Sequence, residues 1–402
     1  MAITDKKTGV WGLDQTFNKI NQGSIWSYSG STILFAAGAA TNGQLGLNDI
    51  IRRSSPTQIP GTWDGAITAG YYSVLATKSD GTLWTWGRND SWSAGMLGLN
   101  NQTQYSSPVQ IGSETDWPTT DDRKLSVGDE QTFVIKSNGT LWSWGKNQWG
   151  STGIPSIGTG ERSSPVQVGS DTTWKHASAG SFGQLAIKTD GTMWSWGSNT
   201  YGVLGLNQTG AAWPGYGDGQ KYSSPVQIPG TTWDKIPQSA AYGRYAIKTD
   251  GTLWAWGRNN WGILGQNNRT SYSSPVQIPG TTWSKLWDGK VKNFFAAIKT
   301  DGTLWVMGRG SNGNLGQNES TPSTAYSSPV QVPGTTWDTV TGGSEVICAT
   351  KTDGTAWAWG NNTNGQLMQN SRTQYSSPVQ IPGNWTKAFQ GQVSAFLIGE
   401  TA

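Results

Sequence analysis

Ile247-Lys248-Thr249-Asp250-Gly251-Thr252-Leu253-Trp254-Ala255-Trp256-Gly257-Arg258-Asn259 is a phrase that this chain writes over and over. It returns at Lys78 to Asn89, Lys136 to Asn147, Lys188 to Asn199, Lys299 to Gly310 and Lys351 to Asn362, with a worn copy at Thr32 to Ala39. Asp250-Gly251 lies between two apolar runs, and glycine tolerates the positive φ of a tight hairpin, so the phrase reads as strand, turn and returning strand. Trp254 and Trp256 are two residues apart, which in an extended chain puts both indoles on one face and Leu253 and Ala255 on the other. A strand apolar on both faces is buried on both sides, as when a small sheet is held between two others like it.

A second phrase follows each copy. It reads Ser273-Ser274-Pro275-Val276-Gln277-Ile278-Pro279-Gly280-Thr281-Thr282-Trp283, with counterparts beginning at Ser54, Ser106, Ser163, Ser223, Ser327 and Ser376. Proline has no amide donor and suits an outer strand, so this segment predicts the edge of the sheet, closed by a Pro-Gly turn. Between the phrases most copies carry Gly-x-Leu-Gly-x-Asn, as in Gly262 to Asn267, a turn with one buried leucine. The steps between anchoring glycines (Gly38, Gly87, Gly145, Gly197, Gly257, Gly308, Gly360) are 49, 58, 52, 60, 51 and 52 residues. Strand-rich periods near fifty predict an all-β, seven-bladed β-propeller.

The chain has 402 residues, of which only 34% are apolar, yet 25 are tryptophan, and large rings bury enough area for a core. Eleven of these tryptophans fall in the Trp-x-Trp strand and seven at the closing position, so most are architectural. A formal charge of +3, from 28 basic and 25 acidic residues scattered singly, gives no basic face for nucleic acid. The lone Cys348 excludes an internal disulfide and, with the lone His176, leaves no Cys/His cluster for zinc. Residues 1–12 lack the apolar core of a signal peptide, and no run of about 18 apolar residues is present, so the expectation is a soluble chain made in a cytoplasm without membrane insertion.

Residues 1–23 stand outside the repeat as an N-terminal arm, and 24–402 form the propeller. In the arm Trp11 precedes Leu13, Phe17 and Ile20, the last three spaced for one face of a short helix. Two readings stand: the arm packs on the propeller's own rim, or it docks the protein into a larger assembly. The first repeat, Ile33 to Gly38, lacks the strand that should precede it, and Ser394-Ala395-Phe396-Leu397-Ile398 follows Gly391 as Val74 to Thr77 follows Gly70. The ring is therefore expected to close by pairing of N- and C-terminal strands, which removes the exposed end faces of an open array.

The connections vary more than the strands. Trp92, Trp149, Trp213, Tyr216 and Trp261 lie in them, outside the architectural tryptophans, and are the candidate ligand- or partner-binding residues. The longest loop, Gly210 to Tyr222, carries both Trp213 and Tyr216. In repeat rings such insertions gather on one rim and either bind partners or simply space the blades. Catalytic chemistry is not expected. The Asp-Gly pairs at Asp80, Asp190, Asp250, Asp301 and Asp353 are hairpin turns, and His176 has no triad partner in the sequence. Asp121-Asp122, beside Asp116, is the one local acidic cluster, to be read as a cation site or as plain loop. No cofactor and no metal are expected.

The hairpin with its Trp-Gly-x-Asn and Gly-x-Leu-Gly segments resembles the regulator of chromosome condensation repeat family over Gly23 to Ala402. The resemblance implies a seven-bladed propeller with strand exchange between the termini. The family's best-known member resembles a chromatin-bound exchange factor for a small GTPase, but this chain has neither a basic tail nor a concentrated acidic loop for that role. Plant UV-B receptors share the fold and carry Gly-Trp-Arg-His-Thr pentads, which are absent here. Bacterial β-lactamase inhibitory propellers are similar too, and imply that such a ring can serve simply to bind protein. Residues Gly9 to Tyr28 resemble the lead-in of propeller-bearing structural proteins of marine tailed phages. That likeness implies a bacteriophage virion structural protein of tail, fibre or capsid surface, made in the host cytoplasm. Its partners would be other virion proteins and a host cell-surface glycan or protein. The alternative is a cellular protein-binding propeller, a scaffold or an inhibitor.

Overall fold

Each copy of the repeated phrase folds as the two middle strands of an antiparallel sheet, and the Ser-Ser-Pro-Val-Gln segment pairs along its outer edge. The computed structural model describes residues 32–90, 95–155, 160–208, 220–240, 242–288, 293–319 and 324–400. These residues form seven sheets, six of four strands and one of five, arranged as the blades of an all-β propeller. From axis to rim, blade 5 runs Trp233–Lys235, Gly243–Lys248, Leu253–Gly257 and Tyr272–Ile278. Blade 2 begins at Ile67–Ala69, blade 3 at Leu125–Val127, blade 4 at Trp174–Gly180, blade 6 at Trp283–Asp288 and blade 7 at Trp337–Gly342.

Blade 1 is shared between the two ends of the chain. Thr32–Gly38 pairs along its length with Ser394–Glu400, from Thr32 opposite Glu400 to Gly38 opposite Ser394. The C-terminal segment supplies more than the single missing strand, because Lys387–Gln390 completes the axial edge of the same blade. The arm at 1–23, with Trp11, Leu13, Phe17 and Ile20, lies outside the described residues.

The recurrence of Asp-Gly-Thr-x-Trp has a local cause. Gly251 takes φ +76°, and its N–H closes the turn on Lys248 O at 3.0 Å. Asp250 Oδ1 accepts from Thr252 N at 2.9 Å and from Thr252 Oγ1 at 2.6 Å. Thr252 Oγ1 in turn accepts from Trp254 Nε1 at 2.9 Å, so one carboxylate orders both the turn and the first indole. The relay recurs from Asp80, Asp190, Asp301 and Asp353, and Asn138 substitutes for the carboxylate in blade 3. Lys248 Nζ then sits over Trp254 at 4.1 Å and over the closing Trp233 at 4.8 Å, a cation held between two ring faces.

The second tryptophan of each pair wedges neighbouring blades together. Trp256 is fully buried and donates Nε1 to Val203 O of blade 4 at 2.9 Å; Trp86, Trp144, Trp196 and Trp359 reach the preceding blade in the same way. The indole lies so close to the loop that a Cβ on Gly205 would stand 2.9 Å from Trp256 Nε1. Hence the second glycine of Gly-x-Leu-Gly. At the seam between blades 7 and 1 the pair is exchanged: Met368 replaces the glycine, Ala37 replaces the tryptophan, and both are buried in one apolar cluster.

Blade 5 departs from the pattern at its axial strand. Pro237 cannot donate to the sheet, and the strand leaves it, so that Ser239 and Ala240 pair in parallel with Ala179 and Gly180 of blade 4. Gln238 O accepts from Ser126 Oγ of blade 3, and Gln238 Nε2 donates to Asp122 O at 2.8 Å.

Candidate binding surface

The loop that follows Trp-Gly in each blade crosses to the next blade, and this places its aromatic residues. The first glycine of the loop takes a positive φ because the backbone passes against the neighbour's outer strand: a Cβ on Gly202 would lie 2.6 Å from Ser273 Cβ. A buried asparagine ties the loop down, with Asn259 Oδ1 accepting from Leu264 N at 2.9 Å and Nδ2 donating to Asn268 O at 3.0 Å. The residue before that glycine is Trp149 in blade 3, Tyr201 in blade 4 and Trp261 in blade 5, whereas blades 1, 6 and 7 have Asn42, Asn312 and Asn364.

Each of the three aromatic residues meets the next blade. Trp149 packs on Phe182 with centroids 6.0 Å apart, and Phe182 lies 5.5 Å from Tyr242. Tyr201 stands edge-on to Tyr242 at 6.3 Å, and the Arg258 guanidinium rests 4.9 Å from the centroids of both rings. The Arg309 guanidinium lies 4.6 Å from the Trp261 ring. All of these side chains are half-buried, so one rim carries an arc of rings and guanidinium groups across blades 3 to 6, in two sets, one from Trp149 to Arg258 and one of Trp261 with Arg309. At the next seam the arc ends, because Glu345 accepts from Ser311 Oγ at 2.8 Å, Asn312 Nδ2 at 2.7 Å and Asn361 Nδ2 at 3.0 Å. On the adjoining blade 2, Tyr71 and Tyr72 form a smaller patch with Arg88 over Tyr72 at 5.5 Å. Burial pushes the Tyr72 phenol up, Tyr71 adds to it, and Arg88 opposes.

Of the five residues expected to bind from their loop positions, the structure brings Trp149 and Trp261 to this arc. Trp92, Trp213 and Tyr216 lie outside the described residues. The described ends of the longest loop are both held by Asn199, whose Nδ2 donates to Gln208 O and whose N–H donates to Gln220 O, each at 2.9 Å. Loop position alone missed Phe182, Tyr201, Tyr242, Arg258 and Arg309. Phe182 and Tyr242 belong to the short turn before the second strand, where Tyr72 also stands, and alignment of the repeats on that turn would have exposed them.

His176, Asp121 and Asp122 come together on the axis. Asp122 Oδ1 accepts from Ile67 N at 2.9 Å and Oδ2 from Lys387 Nζ at 3.0 Å, so this carboxylate joins blades 1, 2 and 3. Burial pushes Asp122 up, against the pull of Lys387. Burial acts in the same direction on Asp121, but Arg123, at 2.9 Å, outweighs it and holds the carboxyl below its ordinary range. His176 is 1% exposed, its two ring nitrogens have no hydrogen-bond partner, and Nε2 lies 3.9 Å from Asp121 Oδ2. Burial first, then Arg123, pushes its pKa down to about 4, with Asp121 opposing. The imidazole is therefore a neutral packing residue at pH 7. Asp122 thus ties blades together and Asp121 holds its own turn, and among the described residues no group of three His, Cys, Asp or Glu side chains gathers as a metal set. No described helix is long and apolar enough to cross a membrane.

Comparison with known proteins agrees with this geometry. The sequence profile of the RCC1-like domain matches residues 33–399. The ultraviolet-B receptor UVR8 of Arabidopsis thaliana is 26% identical over 349 residues, covering 83% of this chain and 74% of the receptor. The E3 ubiquitin-protein ligase HERC2 of Homo sapiens is 25% identical over 58% of this chain, which spans only 5% of that much longer relative. Among solved structures, Prp20p from Saccharomyces cerevisiae superposes with a TM-score of 0.74 at 17% identity, covering 95% of this chain and 94% of Prp20p. That likeness is one of fold.

Proposed function

The chain belongs to the RCC1-like domain family, and on that premise we propose that it is a protein-binding propeller, a rigid ring that engages a partner through the aromatic arc of blades 3 to 6. The observation that carries the proposal is the confinement of Trp149, Phe182, Tyr201, Tyr242 and Trp261 to one sector of one rim. A ring that repeats its architecture faithfully has no structural need for half-buried rings at three consecutive seams, since the seams with Asn42, Asn312 and Asn364 close without them. Aromatic side chains and arginine also concentrate at protein interfaces, where they give large contact area at low entropic cost. Prp20p, described with binding properties toward Gsp1p and histones, supports the general role of such a ring as a protein binder. The reading is of a binder rather than an enzyme, because the acidic turns are held by threonines, Asp121 by Arg123 and Asp122 by Ile67 and Lys387.

The test is a cross-linking pull-down from the source lysate with the wild-type chain and with W149A/Y242A. A partner captured by the first and lost from the second, with thermal unfolding unchanged, supports the proposal; equal capture by both chains overturns it. A virion component docked by the N-terminal arm is a second, finer reading, resting on the likeness of residues Gly9 to Tyr28. On this reading the protein belongs to the particle, with Trp11, Leu13, Phe17 and Ile20 as the docking residues and Trp92, Trp213 and Tyr216 as loop residues that meet a host glycan or protein. Its absence from purified particles would end that reading and leave the protein-binding one standing.

A further inference from the structure

The sevenfold repeat provides an internal control for charge, because the residue after the anchoring glycine occupies the same place in every blade: Ala39, Arg88, Lys146, Ser198, Arg258, Arg309 and Asn361. Its backbone N–H binds the turn before the second strand in each, as Arg258 N binds Tyr242 O and Arg309 N binds Asn293 O. Where the position is basic in blades 2 and 3, the chain supplies an acid. Arg88 Nε meets Asp90 at 2.8 Å and Lys146 Nζ meets Glu130 at 3.0 Å. Arg258 and Arg309, in adjacent blades, form no ion pair among the described residues. Arg258 lies on Tyr201 and Tyr242, and Asn260, with its amide oxygen turned inward, accepts from Nη2 at 2.9 Å and Nε at 3.0 Å. Arg309 lies on Trp261, and its buried Nε has no hydrogen-bond partner. Both guanidinium groups thus lie against rings with no carboxylate beside them among the described residues, although Arg258 spends its Nε–Nη2 edge on Asn260.

Resting on the reading of this arc as a protein interface, we infer that Arg258 and Arg309 receive an acidic segment of the partner, a short stretch carrying Asp or Glu side chains beside an apolar or aromatic residue. Ring contact holds each guanidinium in place, so a carboxylate can bind end-on at its terminal nitrogens, while the neighbouring rings cover the apolar residue. The charge around the arc limits the occupant. Glu130 stands at its blade 3 end and Glu345 at its blade 7 end, so a long polyanion such as nucleic acid would be repelled at both sides, whereas a short acidic segment fits between.

The probe is a fluorescein-labelled peptide of alternating Glu, Gly and Tyr residues, read by anisotropy against the same peptide with Gln for Glu. Expected is binding of the Glu peptide that weakens with added salt, falls by roughly tenfold or more in R258Q/R309Q, and is unchanged in R88Q, whose arginine already has Asp90. If R258Q/R309Q loses cooperative unfolding, R258K/R309K replaces it, keeping the charge while removing the fork, and a several-fold loss is then expected. Equal binding of the Gln peptide, no loss in either double variant, or tighter binding of an oligothymidylate would overturn the inference. If the Glu peptide fails while the lysate partner is still lost from W149A/Y242A, the acidic-segment inference falls and the protein-binding reading survives.

Discussion

Exchange of the wedge between blades 7 and 1 gives the most quantitative test of how the ring is held. Five indoles bind the preceding blade over a glycine, as Trp256 does over Gly205, but here Met368 faces Ala37. Met368 is 2% exposed at φ +58°. Truncation in Met368→Gly removes a buried side chain and leaves a cavity, about 2–5 kcal/mol for changes of this kind, while glycine recovers about 1 kcal/mol from the left-handed backbone. The net expectation is a loss of about 1–4 kcal/mol. Ala37→Trp alone drives an indole into Met368 and should cost about 1–3 kcal/mol or more. Combined, the two changes recreate the pair used at five of the other six seams, with the new indole N–H aimed at Gln366 O, the counterpart of Val203 O. The double variant should therefore be more stable than the sum of the singles predicts, by about 1–3 kcal/mol of coupling. Urea unfolding followed by tryptophan fluorescence measures it, with hydrogen exchange in Thr32–Gly38 as a probe local to the seam. Additivity within about 0.5 kcal/mol would refute the claim that the two positions compensate each other.

Three other outcomes follow from the same geometry. Deleting Ser394 to Ala402 removes the strand that Thr32–Gly38 pairs with, so the midpoint of thermal unfolding should drop sharply; an unchanged midpoint would contradict closure through blade 1. His176 stays neutral in the fold down to about pH 4 but protonates near its ordinary value of about 6.5 once unfolded, so its contribution is complete above pH 6.5 and is lost as pH falls from there towards 4. The loss amounts to about 3 kcal/mol, and His176→Gln should flatten that part of the stability profile; an identical profile in the variant would refute it. Thr252→Val removes the hydroxyl between Asp250 and Trp254 and should cost about 1 kcal/mol, with Thr192→Val and Thr303→Val giving the same loss. Unequal losses would show that the relay is not a common device.

Much of this architecture is legible from neighbours in the chain. Hairpin, indole pair and outer strand are each written in spacings shorter than about ten residues, because strand alternation and turn chemistry are local, and the terminal exchange follows from the strand missing in the first copy and spare in the last. Trp149 and Trp261 were visible as unexplained tryptophans, yet their role at the rim was not, since each meets a side chain of the next blade, Phe182 or Arg309. The lack of an acid beside Arg258 and Arg309, the exchange of Met368 with Ala37, and the turn of the chain at Pro237 towards blade 4 likewise depend on which surfaces the ring brings face to face. The blade and the number of blades follow from local periodicity, repeated along the chain. Which seams carry rings and which charges are matched depends on contacts between residues that closure of the ring, not the chain, makes adjacent.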